Sequence, residues 1–224
     1  MAPRVARAAR RVRSAVARAA RPAAPKRRVR LDNDERRAQL LALAKRAFAD
    51  RAYDDVSIDD LAQVAAISKG LLYHYFPTKR DLYVAALTEI ADELVEAVTR
   101  PHDELSPIDR VRAAIDAYLD HITRHSRAFV ALMRGGIGSD PEVAAVIEGV
   151  RTQLFDKFLV GSPFANLVVG DVKFETAIRG WIGFVEATSI DWCANPRLDR
   201  LALRELLVDV LFQILRVVAP GVIP

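Results

Sequence analysis

Apolar residues recur every three or four positions along nearly the whole chain from Asp32 onwards, which is the spacing of amphipathic helices. Proline and glycine interrupt this pattern at intervals. The pattern predicts helices over residues 32–52, 57–65, 68–76, 78–99, 107–124, 127–134, 141–159, 172–193 and 199–217. The alternating runs typical of strands are too short to form a sheet. We therefore expect an all-α protein.

The second, third and fourth predicted helices each begin at a residue suited to capping. Ser57, Ser68 and Thr78 have side-chain oxygens that can accept a hydrogen bond from the first helical turn. Ser57 is followed three residues later by Asp60, an approximate capping box with the shorter acid. Pro77 ends the third helix. Two short capped helices joined by a tight apolar turn are typical of a helix-turn-helix.

The apolar positions of these two short helices fall on one face of each, so the faces should pack together: Ile58, Leu61, Ala62 and Ala65 in the first, and Ile67, Leu72 and Phe76 in the second. The outward positions are then Lys69, Leu71, Tyr73 and His74. Each alone is compatible with an ordinary surface or core position. Together, a base, an aromatic and an apolar residue on one outward face favour contact with a DNA major groove.

The segment from Val56 to Leu82 resembles the signature of the tetracycline-repressor (TetR) family. The residues that fit its pattern are Ser68, Lys69, Gly70, Tyr73, Tyr75, Phe76, Lys79 and Leu82, and the strong match covers roughly residues 36–82. The resemblance implies a homodimer with an N-terminal three-helix helix-turn-helix DNA-binding domain and a C-terminal helical ligand-binding and dimerisation domain. It divides the chain into a basic arm (1–30), a DNA-binding domain (31–82) and a C-terminal domain (83–224).

The same resemblance implies the DNA-binding residues. Lys69, Leu71, Tyr73 and His74 would address bases; Ser57, Tyr75, Thr78 and Lys79 would hold phosphates, and Ser68 and Gly70 complete the set. Two alanines depart from the family pattern. Ala52 and Ala66 stand where the family often has glycine, at positions that usually need a positive φ, so we expect local strain. Leu71 replaces a small polar residue, which favours contact with thymine methyl groups.

Charge is distributed unevenly along the chain. Residues 1–30 carry eleven Lys and Arg and no acid, whereas the remaining residues carry 22 bases and 29 acids, a net charge of −7. Like charges and little apolar surface predict an arm that is disordered when free and suited to DNA phosphate. A transit peptide or a solvated tail is the alternative interpretation.

The last two predicted helices have broad apolar stripes that one chain would not easily cover. The first contains the small residues Gly180, Gly183 and Ala187, which would allow a partner helix to approach closely. The stripe of the second consists of Leu203, Leu206, Leu207, Val210, Leu211 and Ile214. These stripes predict a homodimer, with a single-chain core as the alternative.

Large apolar residues of the C-terminal half are candidates for a ligand pocket: Tyr118, Phe129, Met133, Phe155, Phe158, Trp181, Phe184 and Val185. Each of them is also compatible with plain core. Glu186 is the main charged residue among these stretches. The pocket should therefore favour a small apolar effector with one or two polar anchors.

Other function classes find little support. The chain has no P-loop, no Rossmann glycine fingerprint and no nucleophile elbow, so we expect neither an enzyme nor a cofactor. His121 and His125, with Asp116 and Asp120 nearby, are spaced to hold a metal, but a solvated polar face is favoured and we expect no metal.

The single cysteine, Cys193, excludes an internal disulfide, and no apolar run approaches the roughly 20 residues of a membrane span. An Arg-rich N-terminus without an apolar stretch argues against a secretory signal. We expect a cytoplasmic, nucleoid-associated regulator: a repressor that binds palindromic operator DNA and is released by a lipophilic molecule. Two alternative functions remain. One is a nucleoid architectural protein; the other is a ligand-binding protein or enzyme with a vestigial helix-turn-helix.

Overall fold

The structure is a computed structural model that describes residues 33–134, 136–161 and 170–220, so the basic arm lies outside the described residues. The described chain forms these helices: α1 (Asn33–Asp50), α2 (Ile58–Val64), α3 (Lys69–Tyr75), α4 (Lys79–Val98), α5 (Pro107–Arg124), α6 (Ser126–Arg134), α7 (Pro141–Gly161), α8 (Val172–Ala194) and α9 (Arg200–Val218). Short 3-10 turns at Tyr53–Asp55 and Gly136–Ser139 precede α2 and α7. Each helix ends within two residues of its predicted limits, which confirms the all-α fold.

The helix starts are set by the predicted capping residues. The Asp60 N–H donates to Ser57 Oγ at 3.3 Å, and the Leu71 N–H donates to Ser68 Oγ at 3.1 Å. A complete capping box forms at α4, where the Asp81 N–H donates to Thr78 Oγ1 and the Thr78 N–H donates to Asp81 Oδ2, both at 3.0 Å. These bonds satisfy N–H groups that the first turn leaves without helical partners.

Helices α1 to α3 and the start of α4 enclose one group of buried residues, which we call the N-terminal cluster: Leu40, Leu41, Ala44, Phe48, Val56, Ile58, Leu61, Ala62, Ala65, Leu72, Phe76, Leu82, Tyr83, Ala86, Leu87 and Val143. The predicted inner faces of α2 and α3 belong to it, except that Ile67 is only partly buried. Val143 comes from α7, far along the chain. Its burial in this cluster attaches the start of α7 to the helix-turn-helix.

Helices α5, α7, α8 and α9 enclose a second group, the C-terminal cluster: Ile115, Tyr118, Leu119, Ile122, Phe155, Phe174, Ile178, Trp181, Val185, Leu203, Leu207, Val208, Leu211, Leu215 and Ala219. α4 reaches both clusters, with Tyr83 in the first and Leu94 packed against the second. The described residues from Glu35 onwards form one compact unit. The domain boundary between residues 82 and 83 thus falls inside a continuous helix and stays a prediction.

The turn between α2 and α3 contains a residue with left-handed backbone. Ala66 has φ 54°, a conformation that costs L-residues free energy because Cβ crowds the backbone, so the expected strain is present there. Ala52, by contrast, has φ −60° and ψ 155°, an ordinary extended conformation. The prediction of strain at Ala52 is wrong, because the chain enters the 3-10 turn without needing a positive φ.

Candidate DNA-binding surface and internal cavity

Helix α3 is held by its apolar side and presents the opposite side to solvent. Leu72 and Phe76 are buried, whereas Leu71 and Tyr73 keep 39% and 36% of their surface exposed. Lys69, Gly70 and His74 are also exposed, together with the capping Ser68. Tyr75 is half-buried against the N-terminal cluster, with its ring edge-on to His74. The predicted base-contacting residues are therefore all accessible to solvent.

An ion pair connects the two helices of the motif. Lys69 Nζ lies 3.0 Å from Asp59 Oδ2 of α2, and both side chains are exposed. The hydrogen bond with Asp59 raises the pKa of Lys69, so the ammonium stays charged. An acid beside the proposed DNA face was not singled out from the sequence, although Asp59 was part of the motif.

Three of the four predicted phosphate-contacting residues lie where α2 and α4 begin, and the fourth, Tyr75, ends α3. Ser57 and Thr78 are the N-caps described above, and their hydroxyl groups accept backbone hydrogen bonds while keeping a proton to donate. Lys79 Nζ lies 4.4 Å from the centre of the Tyr53 ring, a cation–π contact. Tyr53 in turn packs edge-on against Tyr83. The aromatic support of Lys79 restricts its ammonium to the surface at the start of α4.

A cavity of about 1040 Å³, partly open to solvent, is lined by residues of α1, of helices α4 to α9 and of the segment between α4 and α5. Most of its wall is apolar. Six predicted pocket residues line it: Tyr118, Phe129, Met133, Phe158, Trp181 and Val185.

Two predicted pocket residues, Phe155 and Phe184, do not line the cavity. Phe155 is buried in the C-terminal cluster, and its ring packs under the Arg179 guanidinium at 4.6 Å. Phe184 keeps 37% of its surface exposed, although its neighbours on α8, Trp181 and Val185, both line the cavity. Helical period alone does not tell which side of α8 faces inward.

Part of the cavity wall comes from the N-terminal half of the chain, where no pocket residue was predicted. Phe48 and Ala49 of α1 and Tyr83 and Leu87 of α4 line the cavity. Three of them, Phe48, Tyr83 and Leu87, also belong to the N-terminal cluster. Their apolar spacing was visible in the sequence, but it indicated only burial.

Polar and charged residues of the cavity wall come from several elements, and they include Arg100, Asp103, Arg110, Lys157, Asp209 and Arg216. Tyr118, His121 and His125 come from α5, and Glu186 comes from α8. Glu186 is paired with Arg151, whose Nη2 donates to Glu186 Oε2 at 2.7 Å and whose Nε donates to Oε1 at 3.0 Å. Burial, and to a lesser degree the neighbouring His125, lowers the pKa of His121 to about 4. His121 is therefore neutral near pH 7.

The acids that neighbour the histidine pair of α5 in the sequence form ion pairs with other residues. The rings of His121 and His125 lie edge-on with centres 5.6 Å apart. Asp116 instead pairs with Arg204 at 2.7 Å, and Asp120 pairs with Arg200 at 2.8 Å, both arginines belonging to α9. Among the described residues, no three His, Cys, Asp or Glu side chains come together as a metal site would require.

The outer sides of α8 and α9 are exposed and contain apolar positions. A Cβ atom at Gly180 or Gly183 would meet nothing within 4 Å. On α9, Leu206 is exposed and Val210 and Ile214 are half-buried. The rest of the predicted α9 stripe, Leu203, Leu207 and Leu211, is fully buried within the same chain. The expectation that one chain could not cover that stripe is thus wrong for half of it.

Arg80 and Asp140 join the start of α4 to the start of α7. Arg80 Nε and Nη2 donate to the two carboxylate oxygens of Asp140, each at 2.6 Å, and Arg80 Nη1 lies 3.2 Å from Glu142 Oε1. Asp140 also caps α7 by accepting from the Glu142 and Val143 N–H groups. The Arg80 guanidinium lowers the pKa of Asp140, which keeps the carboxylate ionised.

Comparison with known proteins identifies the family. Residues 40–86 match the sequence model described as "Bacterial regulatory proteins, tetR family", and residues 107–214 match "Tetracyclin repressor-like, C-terminal domain". A crystal structure of a tetR-family transcriptional regulator from Streptomyces coelicolor superposes with a TM-score of 0.75 and 32% identity, over 84% of each chain. The chain belongs to the TetR family of transcriptional regulators.

Curated relatives match over shorter segments. The HTH-type transcriptional activator FasR of Mycolicibacterium smegmatis is 37% identical over 130 residues, 57% of this chain and 59% of that protein. The HTH-type transcriptional regulator EthR of the same organism is 35% identical over 91 residues, 39% of this chain and 40% of that protein. The chain thus matches about half the length of these relatives, which are named as regulators and not as enzymes. Within the described residues, no helix is long and apolar enough to cross a membrane.

Proposed function

We propose that this protein is a ligand-responsive transcriptional regulator that binds palindromic operator DNA as a homodimer and is released by a small lipophilic molecule. One observation carries the proposal: the wall of the internal cavity and the core of the helix-turn-helix share Phe48, Tyr83 and Leu87. A molecule that fills the cavity touches the side chains that support α2 and α3. Occupancy and the position of the recognition helix are therefore physically connected.

DNA contact is supported by the accessible face of α3. Lys69, Leu71, Tyr73 and His74 project from a helix whose other side is buried, as a helix inserted into a major groove must. Ser57, Thr78 and Lys79 lie at the starts of α2 and α4, and with Tyr75 they would contact phosphates on either side. On binding, Lys69 would give up its ion pair with Asp59 and contact DNA instead.

Dimerisation is supported by the unpartnered outer sides of α8 and α9. The open space around Gly180 and Gly183 would admit a partner helix at close range, and Leu206 and Phe184 would contribute apolar contact. A two-fold axis through this surface would relate the α3 helices of the two protomers, so that each helix could bind one half-site. Palindromic operators follow from that symmetry.

Release by ligand needs two arrangements that the ligand distinguishes. The cavity wall includes Leu132 of α6 and Val146 and Ile147 of α7, which also pack against the N-terminal cluster. Arg80 and Asp140 join the same corner to α4. A ligand that displaced α6 and α7 would thus pull on α4 and change the separation of the two α3 helices.

We propose repression as the direction, because a ligand that lowers operator affinity most simply relieves a block on transcription. The protein would act with the nucleoid in the cytoplasm, where its DNA target lies. Selection of genomic fragments by the purified full-length chain tests the function. Recovered fragments should share a palindrome whose half-sites are about 34–36 Å apart, one helical turn.

The rival functions predict other results from the same selection. An architectural protein would recover fragments without a common sequence and bind random DNA as tightly as any of them. A ligand-binding protein or enzyme with a vestigial helix-turn-helix would recover nothing above background and show no salt-dependent DNA affinity. Either result would contradict the proposed function.

A further inference from the structure

The cavity is elongated and extends away from the helix-turn-helix along α4. Phe48 and Tyr83, which belong to the N-terminal cluster, line it at one end, and Val98, the last residue of α4, lines it at the other. The rise of 1.5 Å per helical residue places Tyr83 and Val98 roughly 22 Å apart along α4. The space is therefore long enough for an extended chain.

Several helix ends meet at the end of the cavity away from the helix-turn-helix, which we call the distal end. α4 and α7 both begin against the N-terminal cluster and end against the C-terminal cluster, so they run in the same direction. Arg200, at the start of α9, pairs with Asp120 of α5 at 2.8 Å. Glu205, further along α9, pairs at 3.0 Å with Arg112, nearer the start of α5, so these two helices are antiparallel. The ends of α4, α7 and α9 and the start of α5 thus lie together.

The cavity opens to solvent at the distal end. Among the described residues, every exposed wall residue comes from the α4–α5 connection, the start of α5, the end of α7 or the second half of α9. The wall residues of α1, α6 and α8 are all buried or half-buried. A ligand would therefore enter at the distal end, and the end beside the helix-turn-helix is closed.

Four cations surround this opening: Arg100, Arg110, Lys157 and Arg216. None of them forms an ion pair with an acid of the described chain. Arg110 Nε donates to the Leu105 carbonyl oxygen at 3.0 Å, which holds its guanidinium beside the α4–α5 connection. Two acids, Asp103 and Asp209, line the same part of the wall, so the opening keeps a net charge of +2.

The interior of the cavity offers a mainly apolar surface instead. Its Glu186 carboxylate accepts hydrogen bonds from Arg151 and is neutralised by it. Burial lowers the pKa of His121, which keeps the imidazole uncharged near pH 7. Unpaired positive charge is thus found at the opening and apolar surface within.

A molecule with the same division of character fits this arrangement. An apolar chain gains free energy when its surface leaves water for the interior. An anionic group placed inside would lose its hydration. At the opening the same group keeps part of its hydration and gains the attraction of guanidinium and ammonium groups, whereas a cationic group would be repelled.

We propose that the effector is an amphipathic anion, whose carboxylate or phosphate group is held at the distal opening by Arg100, Arg110, Lys157 and Arg216 and whose apolar chain extends inside towards the helix-turn-helix. This rests on the proposed function, in which the cavity holds the effector. The far end of the chain would then contact Phe48 and Tyr83, the side chains through which the cavity and the helix-turn-helix core are connected.

The test uses the full-length chain and probes that share one alkyl chain. Nile red, an uncharged fluorescent dye, first reports whether the cavity binds an apolar molecule. Its displacement at pH 7.5 then compares decanoate, decyl phosphate, 1-decanol and decylammonium, each below the concentration at which it forms micelles. We expect the tighter of the two anions to bind about tenfold more tightly than 1-decanol, and decylammonium to bind most weakly.

Two features of the same titration identify the head group and its attraction. The ranking of decanoate and decyl phosphate distinguishes a carboxylate from a phosphate ligand. Raising the salt concentration should reduce the advantage of the anion over 1-decanol, because salt screens charges that are exposed to solvent.

Variants locate the anionic group. Arg110→Gln and Arg216→Gln should each weaken binding of the anion about threefold, as for an ion pair that stays partly exposed, and together about tenfold. Binding of 1-decanol and Nile red should not change. Lys173→Gln is the matched control, because Lys173 is an exposed cation beside the end of α9, where its Nζ donates to Val217 O at 3.3 Å, but it does not line the cavity.

The outcomes separate the two proposals. If Nile red does not bind, the cavity does not take apolar molecules and the proposed ligand response fails with it. If Nile red binds but 1-decanol or decylammonium competes as well as the tighter anion, the inference of an anionic effector is overturned while the proposed function stands. The inference is equally overturned if the double variant keeps the full advantage of the anion, or if Lys173→Gln reduces that advantage as much as the double variant does.

Discussion

The Arg80 guanidinium lies side-on against the Asp140 carboxylate, with two hydrogen bonds of 2.6 Å between the first turn of α4 and the residue that caps α7. The pair bridges the helix that follows the recognition helix and the corner that lines the cavity. Its geometry is the bidentate form in which arginine restrains orientation as well as distance. In the proposed function, this pair would connect the ligand cavity mechanically to the DNA-binding helices.

The connection predicts a non-additive pair of substitutions. Arg80→Gln and Asp140→Asn should each weaken operator binding, because α4 loses its fixed attachment to α7, and the double variant should be no weaker than either single one. Asp140→Asn keeps an oxygen that can cap α7. Operator titration by fluorescence anisotropy measures all three. Arg112→Gln, which breaks the comparable bridge to Glu205 within the C-terminal half, is the control and should leave operator affinity intact.

Base recognition predicts a loss confined to the operator. Tyr73→Ala should lower operator affinity by about 1–3 kcal/mol while changing affinity for random DNA little, because Tyr73 would contact base edges. Val64→Ala, an exposed substitution on α2, is the matched control. A parallel loss on operator and random DNA would mean that Tyr73 does not read sequence.

The Lys69–Asp59 ion pair predicts a gain of DNA affinity. Asp59→Asn should tighten binding to operator and random DNA alike, because it removes a negative charge near phosphate and releases Lys69 from its partner. The slope of log affinity against log salt concentration should become steeper. In a Lys69→Met background the added steepness should disappear; its persistence would show that Lys69 is not the group released.

The backbone at Ala66 predicts a stabilising substitution. Ala66→Gly should raise the free energy of unfolding by about 1 kcal/mol, because glycine adopts φ 54° without the crowding that Cβ causes. Ala52→Gly is the matched control and should lower it slightly, because Ala52 has ordinary extended backbone and glycine adds only chain entropy. Urea unfolding measures both. Equal effects of the two substitutions would exclude backbone strain as the cause.

The open space on α8 predicts how dimerisation can be blocked. Gly183→Leu should fold normally, because a Cβ atom at this exposed position meets nothing within 4 Å in one chain. It should yield monomers by light scattering, because the leucine fills the space for a partner helix. Gly149→Leu on α7 has equally open surroundings and should stay dimeric. A dimeric Gly183→Leu protein would place the interface elsewhere.

The sequence by itself determined the helices and their starts. Caps such as Ser57, Ser68 and Thr78 act within one turn, and apolar period is a local property, so both could be read without a fold. The exposed residues of α3 could be predicted for the same reason, because burial of Leu72 and Phe76 leaves Lys69 and Tyr73 exposed to solvent. The strain at Ala66 was also local, although the same argument was wrong at Ala52.

Only the tertiary structure decided which apolar residues enclose space. Phe155 and Phe184 have the same periodicity as true cavity residues, yet one lies in solid core and the other faces outward. Phe48 and Leu87 line the cavity from the other half of the chain, and Arg80 meets Asp140 sixty positions away. Such relationships depend on how helices cross, and a crossing is set by packing between distant segments rather than by the local order of residues.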